Sequence, residues 1–161
     1  SFIGEAVILG KAKPYLSAII CIRFSIVAKW AEQQGLSFTN YTNLSTLPEV
    51  YEKIGEEIMR VNESLPESQK IHKFLLLYKE LDADDGELTR TRKVRRSVIA
   101  DKYGDIISSI YDNKENVDID TMVVFQDGTK TRIQTQLKVT SLIETACTAA
   151  DNTINITRRV S

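Results

Sequence analysis

Histidine and cysteine are nearly absent from this chain. One histidine, His72, and two cysteines, Cys21 and Cys147, stand among 161 residues. Soft ligands so sparse and so widely spaced assemble no zinc or iron–sulfur set. Two distant thiols also make no disulfide framework, and the chain reads as a reduced, cytoplasmic protein. An excess of one charge is missing too. Lys and Arg total 21 against 22 Asp and Glu, a formal net charge of -1, so no global positive field exists to hold nucleic acid. The longest apolar run, around Leu16 to Ile22, is too short to cross a bilayer. Ser1 to Ala6 lack the basic start and the apolar stretch of a signal peptide. No Walker loop, paired-glycine dinucleotide fingerprint or nucleophile elbow is present. What remains is 42% hydrophobic and 27% charged, the composition of a single globular domain with a real core.

The apolar patterning predicts where that core lies. Glu5 to Leu9 and Tyr15 to Ile22 are β-prone runs joined by a Gly10–Pro14 connector, which reads as a hairpin. The second run is almost continuously apolar, as a strand buried on both faces would be. Ser25 is expected to cap a short helix with Ile26, Val27, Trp30 and Ala31 inward and Gly35 as its stop. Trp30 at that spacing reads as a core anchor rather than a stacking platform. Residues 37–45 read as a loop. Thr46 and Glu49 then have capping-box spacing ahead of a helical stripe, Leu47, Val50, Tyr51, Ile54, Ile58, Val61 and Leu65. Asn62 to Gln69, with Pro66, ends it.

Ile71 to Tyr78 is a third strand. It carries His72, a structural or surface residue with no acid or nucleophile nearby in sequence to orient it. Val94 to Tyr111 has the spacing of one further amphipathic helix. Residues 118–125 and 131–139 flank Asp127-Gly128, a strong hairpin signal. Residues 140–161, rich in Ala, Thr and Asn, carry no assignable role. The expected fold class is α+β, a small mixed β-sheet with packed helices plus a C-terminal β-hairpin.

One segment stands apart. Asp82, Asp84, Asp85 and Glu87 fail the spacing of a calcium loop and read as a solvated turn. Directly after them, Arg90, Arg92, Lys93, Arg95 and Arg96 gather at the expected start of the helix. Cations at a helix N-terminus oppose the dipole by about a few tenths of a kcal/mol, so the cluster either stays solvated or answers an anion such as a phosphate or carboxylate. Residue chemistry alone leaves both readings standing.

The stretch Gly86 to Arg96 (Gly-Glu-Leu-Thr-Arg-Thr-Arg-Lys-Val-Arg-Arg) resembles the C-terminal signature of AMP-forming long-chain acyl-CoA synthetases. The segments Tyr15 to Cys21, Trp30 to Glu32, Pro48 to Tyr51 and Asp120 to Gly128 resemble the same enzymes, and the likeness runs from residue 2 to 139. It implies that residues 1–139, hairpin 118–139 included, form the lid domain of such a ligase, with 140–161 as a tail. It implies a catalytic lysine at Lys93, reaching the acyl carboxylate and the α-phosphate, with Thr91 and Arg92 on the phosphate side. The wider superfamily has Ser-Gly before that lysine, and the long-chain branch tolerates the Thr91-Arg92 found here.

Fatty acid, ATP and CoA are the implied substrates, with Mg2+ held outside this chain. The implied partner is a larger N-terminal adenylation domain of the same polypeptide, which supplies the phosphate loop, adenine pocket and acyl tunnel. A chain opening in mid-strand without methionine is expected to be a fragment, inactive alone. A cytoplasmic location follows, with peripheral membrane contact of the full-length enzyme left open. Two alternatives stand beside this reading: a small polyanion- or RNA-binding module using residues 90–96, and a lid serving an aromatic or bile acid.

Overall fold

A computed structural model of the chain describes residues 1–10, 13–124 and 128–142. Cys147, the Gln126 and Asp127 of the expected hairpin turn, and the tail beyond residue 142 lie outside them. Strands β1 (Ile3–Leu9) and β2 (Leu16–Ile22) pair antiparallel, as the two runs and their connector predict. Helices α1 (Phe24–Gln33), α2 (Tyr41–Ser45) and α3 (Pro48–Glu63) follow, then a 3-10 turn at Glu67–Gln69 and strand β3 (Ile71–Leu76). β3 lies parallel to β2, which makes the sheet mixed.

The sheet divides the core in two. Ala18, Ile20, Ile22, Phe74 and Leu76 face α1 and α3, against Val27, Ala31, Val50, Ile54 and Ile58. Ile19, Cys21, Leu75 and Leu77 face the other way, towards Ile99, Ile106 and Ile110. β2 is therefore apolar on both sides because both sides are covered. Cys21 is a free, buried thiol. Burial pushes it up to about 12, against weaker opposing contributions from the Leu81 backbone and Lys79.

The helical regions depart from the expected pattern in several places. Ser25 sits inside α1 and caps nothing, because Arg23 takes the N-cap position and its N–H is tied to the Phe2 carbonyl. Ile26 is exposed, while Trp30 is half-buried against the Phe2 ring at 5.4 Å. Gly35 does end the helix, at φ 73. The stretch read as a loop holds α2, capped by Asn40 accepting the Asn43 N–H at 2.8 Å. The capping box fails for a related reason. Thr46 closes α2, its hydroxyl donating to the Asn43 carbonyl at 2.7 Å, and Leu47 caps α3 without a side-chain bond. Val61 also turns outward, and Asn62 is buried in its place. Its amide bonds both polar atoms of the Ile71 backbone at 2.9 Å and so fixes where β3 begins.

After β3 and a long loop come α4 (Arg96–Lys102) and α5 (Gly104–Tyr111). The single helix expected from Val94 onward is two. Val94 is held in a bridge to Leu88, and Tyr103 breaks the rest at φ -112, just before a helix-weakening glycine. Strands β4 (Asn116–Val124) and β5 (Lys130–Lys138) then form the expected hairpin, turning through Gly128 at φ 85. β6 (Thr140–Ser141) adds to the free edge of β3, giving the order β1-β2-β3-β6. The hairpin alternates, with Val117, Val123, Ile133 and Leu137 joining the core of α4 and α5. The class is α+β, with helices on a small mixed sheet and a separate hairpin. No helix among the described residues is long and apolar enough to cross a membrane.

Candidate functional site

The basic cluster rides on the loop that joins β3 to α4. Beyond β3 the chain enters the acidic turn, where Asp82 accepts the Asp84 N–H at 2.9 Å through its side chain and Gly86 N–H reaches the Ala83 carbonyl at 3.0 Å. Gly86 adopts φ 76, a conformation that a Cβ would strain. Leu88 then pairs with Val94 across a closed turn. The Thr89 N–H donates to the Lys93 carbonyl at 2.8 Å, and the Lys93 N–H returns to the Thr89 hydroxyl at 3.0 Å. Thr89 and Thr91 hydroxyls meet at 3.1 Å, and Arg92 takes φ 63 to complete the turn. Thr91, Arg92 and Lys93 thus share one tight turn, three exposed side chains on a locally bonded frame.

That frame precedes the helix rather than opening it. α4 begins at Arg96 with Arg95 as its N-cap. The Arg96 guanidinium is spent on the Ile8 carbonyl at 2.8 Å. Arg92 reaches Glu5 at 4.0 Å and lines a cleft of about 270 Å³ shared with Arg23, Glu5 and Glu80, whose charges balance. Lys93, by contrast, makes no ion pair among the described residues. A closed turn presenting an unspent ammonium can bring one positive charge to an anion.

Glu87 escaped the sequence reading. Grouped there with a solvated acidic turn, it is fully buried. Its Oε1 accepts from Lys79 and from the Asp82 N–H at 3.0 Å; its Oε2 accepts from the Tyr103 hydroxyl and faces Lys102 at 3.1 Å. Asp85 adds a second carboxylate, 3.3 Å from Lys79 and 3.7 Å from Lys102. Those lysines occupy the acidic turn, and among the described residues no three His, Cys, Asp or Glu gather as a metal set. Nothing local in the sequence separates Glu87 from its acidic neighbours. The only hint is its place between a glycine and the buried Leu88.

Burial works to raise the Glu87 carboxyl, but the bonds from Lys79 and Tyr103, the Lys79 charge and the Asp82 N–H outweigh it. The net shift is downward. Folding therefore releases protons from this group in acid. Its contribution is complete above the ordinary carboxyl range, about pH 4.3, and is lost as pH falls through the lowered folded value. Urea unfolding from pH 7 to 3 is expected to show a steeper loss of stability for the native chain than for Glu87→Gln; parallel curves would contradict this account.

His72 lies on β3, its ring stacked on Tyr15 at 5.2 Å. Burial holds its imidazole below the ordinary value. It approaches neither Lys93 nor a nucleophile in any described contact.

A family model described as the AMP-binding enzyme C-terminal domain matches residues 1–115. Long-chain-fatty-acid--CoA ligase FadD15 of Mycobacterium tuberculosis is 33% identical over 114 residues, covering 70% of this chain and 19% of that protein. Long-chain-fatty-acid--CoA ligase ACSBG2 of Xenopus laevis is 30% identical over 126 residues, 68% of this chain and 17% of its own length. The chain thus spans under a fifth of the length of these relatives, 19% and 17%. Among solved structures, the adenylation domain of a carboxylate reductase from Mycobacterium chelonae superposes with a TM-score of 0.52 at 16% identity. That match covers 70% of this chain and 16% of the other. At such identity the likeness speaks for the fold, the same α+β arrangement.

Proposed function

Since the chain belongs to the AMP-binding enzyme C-terminal domain family, we propose that it is the lid of an AMP-forming long-chain fatty-acid–CoA ligase. Lys93 is then its catalytic cation. The observation that carries this reading is the closed Thr89–Lys93 turn, which offers an exposed ammonium without an ion-pair partner among the described residues. In the first half-reaction a fatty carboxylate oxygen attacks the α-phosphorus of ATP, the bond to pyrophosphate breaks, and acyl-AMP forms. Negative charge gathers where the two anions meet, and the lysine ammonium offsets it. Thr91 and Arg92 would stand on the phosphate side of the same turn. In the second half-reaction the sulfur of CoA attacks the acyl carbonyl and AMP departs.

The adenine pocket, acyl tunnel and Mg2+ site are assigned to an N-terminal adenylation domain of the same polypeptide. Residues 1–139, hairpin included, are assigned to the lid, and β6 at Thr140–Ser141 carries that domain past the expected boundary, because it pairs with β3 in the same sheet. Alone, the domain has no nucleotide for Lys93 to act on and is inactive. The polyanion-binding alternative gains no support from the comparisons.

The test is ATP–pyrophosphate exchange by the intact polypeptide. Exchange that depends on an added long-chain fatty acid is the expected result. No exchange with any carboxylic acid, together with salt-sensitive retention of the domain on RNA at about 0.15 M salt, would overturn the ligase reading.

A further inference from the structure

We infer that Glu87 is the positioning residue of the Lys93 turn, an inference that rests on the catalytic reading of Lys93. A buried carboxylate is an expensive way to join the exit of a strand, a turn and the end of a helix. Apolar residues of similar volume commonly serve stability as well or better, so the role of this acid is sought in geometry. The carboxylate grips the exit of β3 through Lys79, the acidic turn through the Asp82 N–H, and the end of α4 through Tyr103 and Lys102. Its own backbone closes the frame. The Glu87 N–H donates to the Asp82 carbonyl at 3.0 Å, and its carbonyl accepts the Arg95 N–H at 2.9 Å.

Glu87 and Arg95 are thereby the two posts of the loop between them. The next pair inward is Leu88 with Val94, and the next is Thr89 with Lys93. Each rung fixes the one above it, and the ammonium stands on the last. A buried, fully bonded acid at the base, with Leu88 beside it in the core, holds an exposed lysine in place, because Thr89 to Lys93 are all exposed and have no packing of their own to define them. Gln in place of Glu keeps the volume. It puts an NH2 group, which accepts nothing, against Lys79 and Asp82 or against Tyr103 and Lys102.

The experiment is a double-mutant cycle in the intact enzyme, with the two half-reactions assayed separately. Glu87→Gln is expected to lower kcat for adenylation about 10- to 100-fold, the loss typical of a misplaced group. KM for ATP and thioester formation from added acyl-adenylate should hold. In a Lys93→Ala background the same substitution should cost nothing further, since it acts through that lysine. Unchanged adenylation in folded Glu87→Gln enzyme, or an undiminished further loss without Lys93, would overturn the inference while leaving the role of Lys93 intact. If Lys93→Ala alone leaves adenylation whole, the catalytic reading falls and takes this inference with it. Should Glu87→Gln fail to fold, Tyr103→Phe removes one bond from Oε2 and is held to the same cycle, with a smaller loss that again vanishes without Lys93.

Discussion

On the proposed reading, Lys93→Ala in the intact polypeptide is expected to slow fatty-acid-dependent ATP–pyrophosphate exchange by about 100-fold or more, the usual loss when one preorganised donor is removed from a developing charge. Thioester formation from added acyl-adenylate should fall far less. The asymmetry follows from where charge changes. In adenylation a carboxylate closes on a phosphate, and a fixed cation lowers the barrier between two anions. In thioester formation the bond to phosphorus is already made, and AMP leaves with its charge.

The variant is cleanly readable because the Lys93 side chain is exposed and holds none of the fold together. Substitutions of that kind change stability by about 0.5 kcal/mol or less, so a loss of rate reports chemistry rather than unfolding. Lys93→Arg is a useful companion. It keeps the charge but replaces a compact ammonium with a planar fork of different reach, and substantial loss is expected there too. Equal loss of both half-reactions in Lys93→Ala would contradict the assigned role.

Much of this fold is legible in the sequence wherever burial imposes a period. β2 announces itself because two covered faces demand an unbroken apolar run, and Asp127-Gly128 marks the β4–β5 hairpin because few residues accept its turn. Tyr51, Ile54 and Ile58 show their helix by spacing alone. The reading slips where one residue's local preference yields to a distant partner. Thr46 has the chemistry of a cap, yet it finds the Asn43 carbonyl first. Val94 fits the stripe of the following helix but is held by Leu88.

The site divides in the same manner. Lys93 emerges from the resemblance of its neighbours to a signature, not from composition, which left the basic cluster undecided between solvation and anion binding. Glu87 stays hidden because its partners come from three elements, at Lys79, Asp82, Lys102 and Tyr103. No local window holds them all. Long-range charge pairing leaves no periodic trace, whereas apolar burial does.

Leu137→Ala should cost the domain about 2–5 kcal/mol, the range for emptying a buried leucine site. That is a large share of the roughly 5–15 kcal/mol by which such domains are stable. The argument turns on what the hairpin is for. The family match stops at residue 115, as if β4 and β5 were an appendage. The core does not stop there. Leu137 is fully buried and pairs with Val117 across the hairpin, in one cluster with Leu75, Leu77, Ile99, Ile106 and Ile110. The exit of the hairpin is tied to the other face as well, since the Lys138 N–H donates to the Tyr51 hydroxyl at 3.1 Å and that same hydroxyl accepts the Leu76 N–H at 3.4 Å. A hole at Leu137 therefore opens beneath α4 and α5 and weakens the central sheet with them. Unfolding should remain one transition, shifted to lower urea for probes in the sheet and in the hairpin alike. Met122→Ala, on the outward face at 59% exposed, is the control and should move stability by no more than about 0.5 kcal/mol. A Leu137→Ala protein whose sheet unfolds at the native midpoint while its hairpin melts early would show that β4 and β5 form a separate unit, and the domain would then end where the family match does.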